Sequence, residues 1–321
     1  MSAPDGRDTL SPPDPRKASS ALTRRDAMIC SAVLIVMGAG WGMTQPLGKI
    51  AVSSGYKHFG LIFWQLFIGA ALMALICALR GTRLPRERKQ RAICLMVAII
   101  GTIIPNTTSY QSIVHLPAGI ASILLSMVPM WAFAIALAMG LDRFSGRRAL
   151  GLLLGLCGVF LIAVPGASLL DIAVFWVLIS LISGLCYGLE GNLVARFGTA
   201  GMDPFQVLYG ASLIGTVIMA PVAVASGQWI PIEAAATLEG QALILASLIH
   251  VMVYAGYVWM VGRAGAVFAV QVSYLVTGFG VLWAKLILDE AYSGGIWMAL
   301  LLMFAGMYLV QPRPKAVLAP G

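Results

Sequence analysis

The chain has 321 residues, of which 60% are hydrophobic and 11% charged, with a formal net charge of +8. Soluble domains carry about 25% charged residues, so a water-soluble globule is excluded and lipid is the solvent for most of the chain. The five cysteines (Cys30, Cys77, Cys94, Cys157, Cys186) lie in apolar runs, odd in number and without metal-ligand spacing, which argues against a disulfide framework.

Residues 1–26, rich in Pro, Ser and charge, read as a disordered tail. The apolar run that follows is too long for a signal-peptide core and lacks a small-residue cleavage site. A transmembrane helix takes about 20 apolar residues. Ten runs qualify: 27–50, 59–79, 92–113, 118–140, 147–165, 172–195, 205–226, 241–262, 266–288 and 294–311. The short alternating strands of a membrane barrel are not seen. The expected fold class is an all-α membrane protein with ten transmembrane helices.

Several runs carry polar residues, which are costly in lipid and usually face a cavity or another helix. Run 1 holds Trp41 and Thr44, then Pro46. Run 3 holds Thr102, Asn106 and Ser109 beside Pro105, and run 4 holds Ser126 and Pro129. Run 6 places Ser180, Ser183, Tyr187 and Glu190 along one face. Run 8 repeats the pattern with Ser247, His250, Tyr254 and Tyr257, spaced 3, 4 and 3. Run 9 adds Gln271 and Tyr274. Gly38 and Gly42 in run 1, and Gly184 and Gly188 in run 6, form small-xxx-small ridges on other faces, suited to close helix packing.

Cytoplasmic segments are enriched in Lys and Arg. With the N-terminus inside, 18 of the 21 basic residues fall on the inner side. Both termini are therefore expected in the cytoplasm, as for a multi-pass inner (plasma) membrane protein. The positive charge reads as topology, and nucleic acid is not an expected partner.

Sliding the chain by 148 residues superposes Asp142 on Glu290, Ser145 on Ser293, Gly146 on Gly294 and Gly158 on Gly306. The same shift places His250 over Thr102, Tyr254 over Asn106 and Tyr257 over Ser109. Aligning "GAGWG" with "SGLCYG" puts Trp41 over Tyr187 and Thr44 over Glu190. The unit is five helices, an odd number, so the halves enter the membrane from opposite sides. Residues 27–165 and 172–311 are thus expected to be inverted repeats, with 312–321 a cytoplasmic tail. Inverted-repeat transporters bind substrate between the halves near the midplane.

"GAGWGMTQPLGKI" resembles the WG-x-x-x-P/x-x-x-K start of EamA-type proteins of the drug/metabolite transporter superfamily. "ASILLSMVPMWAFAIALAMGLDRFSGRRALGLLLGLCGVFLIAVPG" and "AVQVSYLVTGFGVLWAKLILDEAYSGGIWMALLLMFAGMYLVQP" resemble its repeat ends. The resemblance covers nearly everything from 27 to 311, and implies two five-helix halves that export or exchange small metabolites. The chain departs from that pattern at four places: Asp142 for the usual Glu, Thr277 for the proline that Pro129 supplies, Asp289 for Gly, and Gln65 for Arg.

The expected site is a central cavity lined by Trp41, Thr44, Thr102, Asn106, Ser109, Ser126, Ser183, Tyr187, Glu190, His250, Tyr254, Tyr257, Gln271 and Tyr274. Glu190 and His250 are the candidates for coupling transport to protons. Two readings of Glu190 stay open: pairing with Arg196 at the interface, or lining the path. Lys49 and Lys285 are expected to snorkel to headgroups, and Glu290 to act structurally. The expected function is secondary transport of a small metabolite such as an amino acid, amine or aromatic cation, by alternating access. No cofactor or metal is implied. The partners are substrate and membrane lipid, with a homodimer left open. An intramembrane enzyme is the alternative, but H-E-x-x-H and G-x-S-x-G are absent. A receptor or scaffold would need larger loops.

Overall fold

The computed structural model describes residues 24–82, 84–163, 172–264, 269 and 271–310. Of the expected tails, residues 1–23 and all of 312–321 lie outside them. Ten helical rods account for the described chain. They are α1 (Arg24–Ala51), α2 (His58–Leu79), α3 (Arg88–His115), α4 (Ala118–Ala138), α5 (Gly146–Ala163), α6 (Ile172–Phe197), α7 (Pro204–Ala225), α8 (Leu238–Ala264), α9 (Val272–Leu288) and α10 (Gly294–Val310). Eight of these are long and apolar enough to cross a membrane; α9 and α10 are shorter apolar helices of 17 residues each. Helices suit this composition because lipid offers no partner for an unpaired backbone N–H or C=O.

The ends follow from local chemistry. Asp203 and Gln206 form a reciprocal capping box at the start of α7, with Pro204 at the first helical position. Glu87 and Gln90 do the same for α3. α1 starts at Arg24, before the run expected from 27.

Two helices are irregular where proline removes a backbone donor. In α3, residues Ile99–Ile103 form a π segment just before Pro105. In α4, Ser126 and Met127 bond only three residues back, to Ile123 and Leu124, and the rod restarts ahead of Pro129. The equivalent helix α9 is unbroken, because Thr277 replaces the proline and its hydroxyl donates to the Ser273 carbonyl at 3.0 Å.

The most extensive helix packings all join the first five helices to the last five: α1 with α8 and α9, α6 with α3 and α4, α4 with α9, α2 with α7, and α5 with α10. This set maps onto itself when the halves are exchanged. The predicted glycine ridges lie at two of these contacts. A β-carbon on Gly42 would sit 2.8 Å from the Gly280 backbone nitrogen of α9, and one on Gly188 would sit 2.9 Å from that of Ala132 in α4. Residues 280 and 132 are themselves 148 apart, so both contacts are one contact seen in each half.

Ion pairs among the described residues gather at one end of the bundle: Arg80–Asp203, Arg263–Asp26 and Arg148–Asp142. At the opposite end the expected snorkelling of Lys49 is corrected. Its ammonium turns inward and donates to the carbonyls of Ile113, Val114 and Leu116 at 2.7, 3.1 and 3.1 Å, where α3 ends. Three carbonyls without helical donors hold the charge better than a lipid headgroup would.

Candidate functional site

The predicted lining separates into three groups. The first joins α1 and α8. The Trp41 ring lies 6.1 Å from His250 and 5.8 Å from Tyr257, tilted in both cases. Trp41 Nε1 is buried without a hydrogen-bond partner among the described residues. Thr44 turns back along α1 and donates to the Trp41 carbonyl at 2.6 Å.

The second group joins α2, α3 and α6. The Tyr187 hydroxyl donates to Asn106 Oδ1 at 3.2 Å, and Asn106 Nδ2 donates to Gln65 Oε1 at 3.2 Å. Tyr110 donates to the same Gln65 oxygen at 3.0 Å. This polar chain crosses between the halves inside the bundle. Such bonds matter in lipid because the alternative is an unpaired polar group. Glu190 lies one helical turn beyond Tyr187. Its carboxyl group rests against Gly101 in the π segment, where a β-carbon would come within 2.5 Å of Oε2 and 2.6 Å of Oε1. Thr102 is the next residue of that segment and is half-buried. Arg196 does not reach Glu190 and instead donates to the Met139 carbonyl at 3.4 Å. Among the described residues no hydrogen bond or ion pair engages the Glu190 carboxylate.

The third group borders a cavity of about 290 Å³ between α4, α5, α6, α9 and α10. Tyr187, Asn192 and Tyr274 contribute to its wall, and the Asp142–Arg148 pair belongs to its lining. The Tyr274 hydroxyl is buried without a partner among the described residues. Asp142 lies outside the helices. Burial favours its neutral form, but hydrogen bonds from Arg148 and the Arg143 N–H, with the Arg148 charge, hold it below the ordinary carboxylate range. The cavity does not include Glu190, so the open space and the acid are adjacent features joined by Tyr187.

Several predicted residues do not present a free polar group. Ser126 and Ser183 are each 1% exposed. Their hydroxyls donate to their own helices, to Ile123 at 2.6 Å and Ser180 at 2.7 Å. The single central cavity expected to include them is corrected on that point: back-bonding satisfies a lone hydroxyl without any cavity. Gln271 is exposed at the start of α9. Ser109 is half-buried, and its carbonyl accepts from Ser112 at 3.0 Å. Tyr254 leaves the Trp41 group, packs near Met73 and Phe205, and donates to the Pro204 carbonyl at 3.4 Å. Residues 254 and 257 point about 60° apart on a helix, enough to put them against different neighbours.

Two participants were missed. Tyr110 continues the spacing of Thr102 and Asn106 by a further four residues, so its signal was legible. Gly101 carried none, because a glycine in a span reads as ordinary packing.

The comparisons fit this architecture. The model of the EamA-like transporter family matches residues 28–164 and again 174–311. A probable terminal-alkyne amino-acid exporter of Streptantibioticus cattleyicolor is 24% identical over 59% of this chain; the match covers 62% of that relative's length. The uncharacterized transporter YvbV of Bacillus subtilis is 24% identical over 89% of this chain and 91% of its own. A solved crystal structure superposes on 90% of this chain and 98% of its own with a TM-score of 0.61. At 17% identity that likeness shows the fold alone.

Proposed function

The chain belongs to the EamA-like transporter family, and on that premise we propose that it is a ten-span secondary exporter of a small amine-bearing metabolite, amino acids included. The two repeats rock against each other and expose the interior to each side in turn. In this reading both termini lie on the cytoplasmic side of the inner (plasma) membrane, which the bias of the basic residues supports.

One observation carries this reading. Inside a bundle whose solvent is lipid, a carboxylate with no partner among the described residues sits beside a hydrogen-bonded chain that links α6 of one half to α3 and α2 of the other. A purely structural interior has no use for an acid without a partner. A transported ammonium group supplies the missing charge, and a proton does so when the site is empty. The name of the Streptantibioticus cattleyicolor relative supports an amino acid as the cargo. His250, tilted against the Trp41 ring, is the second candidate for proton exchange. Trp41 and Tyr257 offer ring faces to a cation or flat group. A 290 Å³ cavity bordered by Tyr187 and Tyr274 gives an apolar side chain space at the basic end.

The test is counterflow in proteoliposomes loaded with unlabelled amino acids or simple amines, with radiolabelled tracer outside. Accelerated tracer uptake by a cognate amine is expected, with Glu190→Gln losing the flux or its pH dependence. Unaltered flux in that variant from pH 5 to 9 would return Glu190 to a structural role.

A further inference from the structure

We propose that Gly101 is a positioning residue for Glu190, and that the π segment of α3 seats the acid's carboxyl group. The proposal rests on the reading that Glu190 lines the path.

A β-carbon at position 101 would overlap the whole carboxyl group of Glu190. The acid lies across the place on α3 where a side chain is missing. The glycine is not a sign of general looseness along α6. Gly184 and Gly188 on that helix face Trp131 and Ala132 of α4, and a β-carbon on Gly191 would meet nothing within 4 Å. At the Glu190 contact, the close approach of α6 to α3 is therefore provided by Gly101.

The π geometry adds a second feature. The Ile104 N–H bonds to the Ile99 carbonyl, five residues back, which widens the turn containing Gly101. Pro105 then has no N–H to give the preceding turn, so a backbone carbonyl of that turn keeps lone pairs available. A carboxylate with no hydrogen-bond or ion-pair partner among the described residues suits a cation donor, such as an alkylammonium group. One turn away, the Tyr187–Asn106 hydrogen bond fixes α6 against α3. With no arginine or lysine holding Glu190 among the described residues, its direction is set by this seat. Among the described residues, the titratable groups within electrostatic reach of it are Tyr187 on its own helix and Tyr254 on α8.

The experiment is infrared titration of the carboxyl stretch in the purified full chain, with the Glu190 band assigned by its loss in Glu190→Gln. In Gly101→Ala, the titration midpoint is expected to move by about one pH unit or more. Counterflow is expected to fall at least about tenfold, with its pH profile displaced in the same sense as the band. Adding Glu190→Asp, shorter by one methylene, is expected to recover part of both. A folded Gly101→Ala protein with an unmoved Glu190 band would overturn the proposal. If Gly101→Ala does not fold, the pair Gly101→Ala/Glu190→Ala decides. Recovery of folding supports the contact, and continued misfolding overturns it. Normal flux in Glu190→Gln would refute the transport role of the acid while the infrared result still decides its position.

Discussion

Lys49 and Glu290 grip opposite sides of one helical corner. Lys49 Nζ donates to the Ile113 carbonyl at 2.7 Å where α3 ends, and Glu290 accepts the Ala118 N–H at 2.6 Å where α4 begins. Glu290 also takes the Gly119 N–H at 3.0 Å and the Tyr292 hydroxyl at 2.6 Å. The charges match the partial charges of the helix ends, cation on a C-terminus and anion on an N-terminus. Because Glu290 belongs to the second repeat, it binds the halves together there.

Removing either grip leaves backbone groups unpaired. Lys49→Met and Glu290→Ala are each expected to cost about 1–3 kcal/mol. Thermal unfolding of detergent-solubilised protein checks this, with both variants melting below the parent. Lys285→Met, at an exposed position, is expected to melt with the parent.

The repeat predicts equal penalties at equivalent glycines. Gly42→Ala and Gly188→Ala each push a methyl group onto a facing backbone nitrogen. Each is expected to lose about 1–3 kcal/mol by overpacking, while Gly191→Ala, with open space around it, stays close to the parent. A large drop in melting temperature for only one of the first two would contradict the equivalence of the halves.

Asp289 ends α9 at φ 53°, ψ 30°, the left-handed conformation that glycine adopts without a Cβ penalty. The departure from the family's glycine therefore carries strain. Asp289→Gly is expected to stabilise by about 0.5–1 kcal/mol, read as a higher melting temperature; a lower one would show that the carboxylate does something the backbone does not reveal.

Asp142 titrates below the ordinary carboxylate range when folded. A depressed folded value gives stability that is complete above the unfolded pKa of about 3.9 and is lost as pH falls through the folded one. The carboxylate is about one third exposed, 35% by side-chain area, so screening keeps the effect under about 1 kcal/mol. Asp142→Asn is expected to melt below the parent at pH 7, with the difference shrinking as the pH falls through the depressed folded value. A difference that stays constant across the whole acid range would assign the loss to packing.

Asn106→Leu is expected to cut the chain from Tyr187 to Gln65, leaving the Tyr187 hydroxyl without its acceptor. Transport is expected to fall about tenfold or more, with a stability loss near 1 kcal/mol, since single interhelical bonds in membranes are modest. Flux equal to the parent in counterflow would take Asn106 out of the proposed path.

Part of the candidate arrangement was legible because helical spacing and the repeat report which residues share a face. Tyr187 was named from that spacing and Asn106 from the 148-residue repeat, and they meet. His250 and Tyr257 were named from spacing and Trp41 from the repeat, and their rings gather. Ser126 and Ser183 were also named, but they bond to their own helices, because a mid-helix hydroxyl can be satisfied by a carbonyl one turn back. Gln65 was noted only as a departure from a family pattern, yet it accepts from both Asn106 and Tyr110.

By itself the sequence determined the solvent, the helical class and the doubled plan, since hydropathy, length and the 148-residue correspondence are properties of the chain. Tertiary structure alone decided which faces meet, that Lys49 turns to the end of α3, and that a π turn brings Gly101 under Glu190. Periodicity defines a direction around one helix axis. It carries no information about which neighbour stands in that direction, or how an extra residue in a turn rotates everything beyond it.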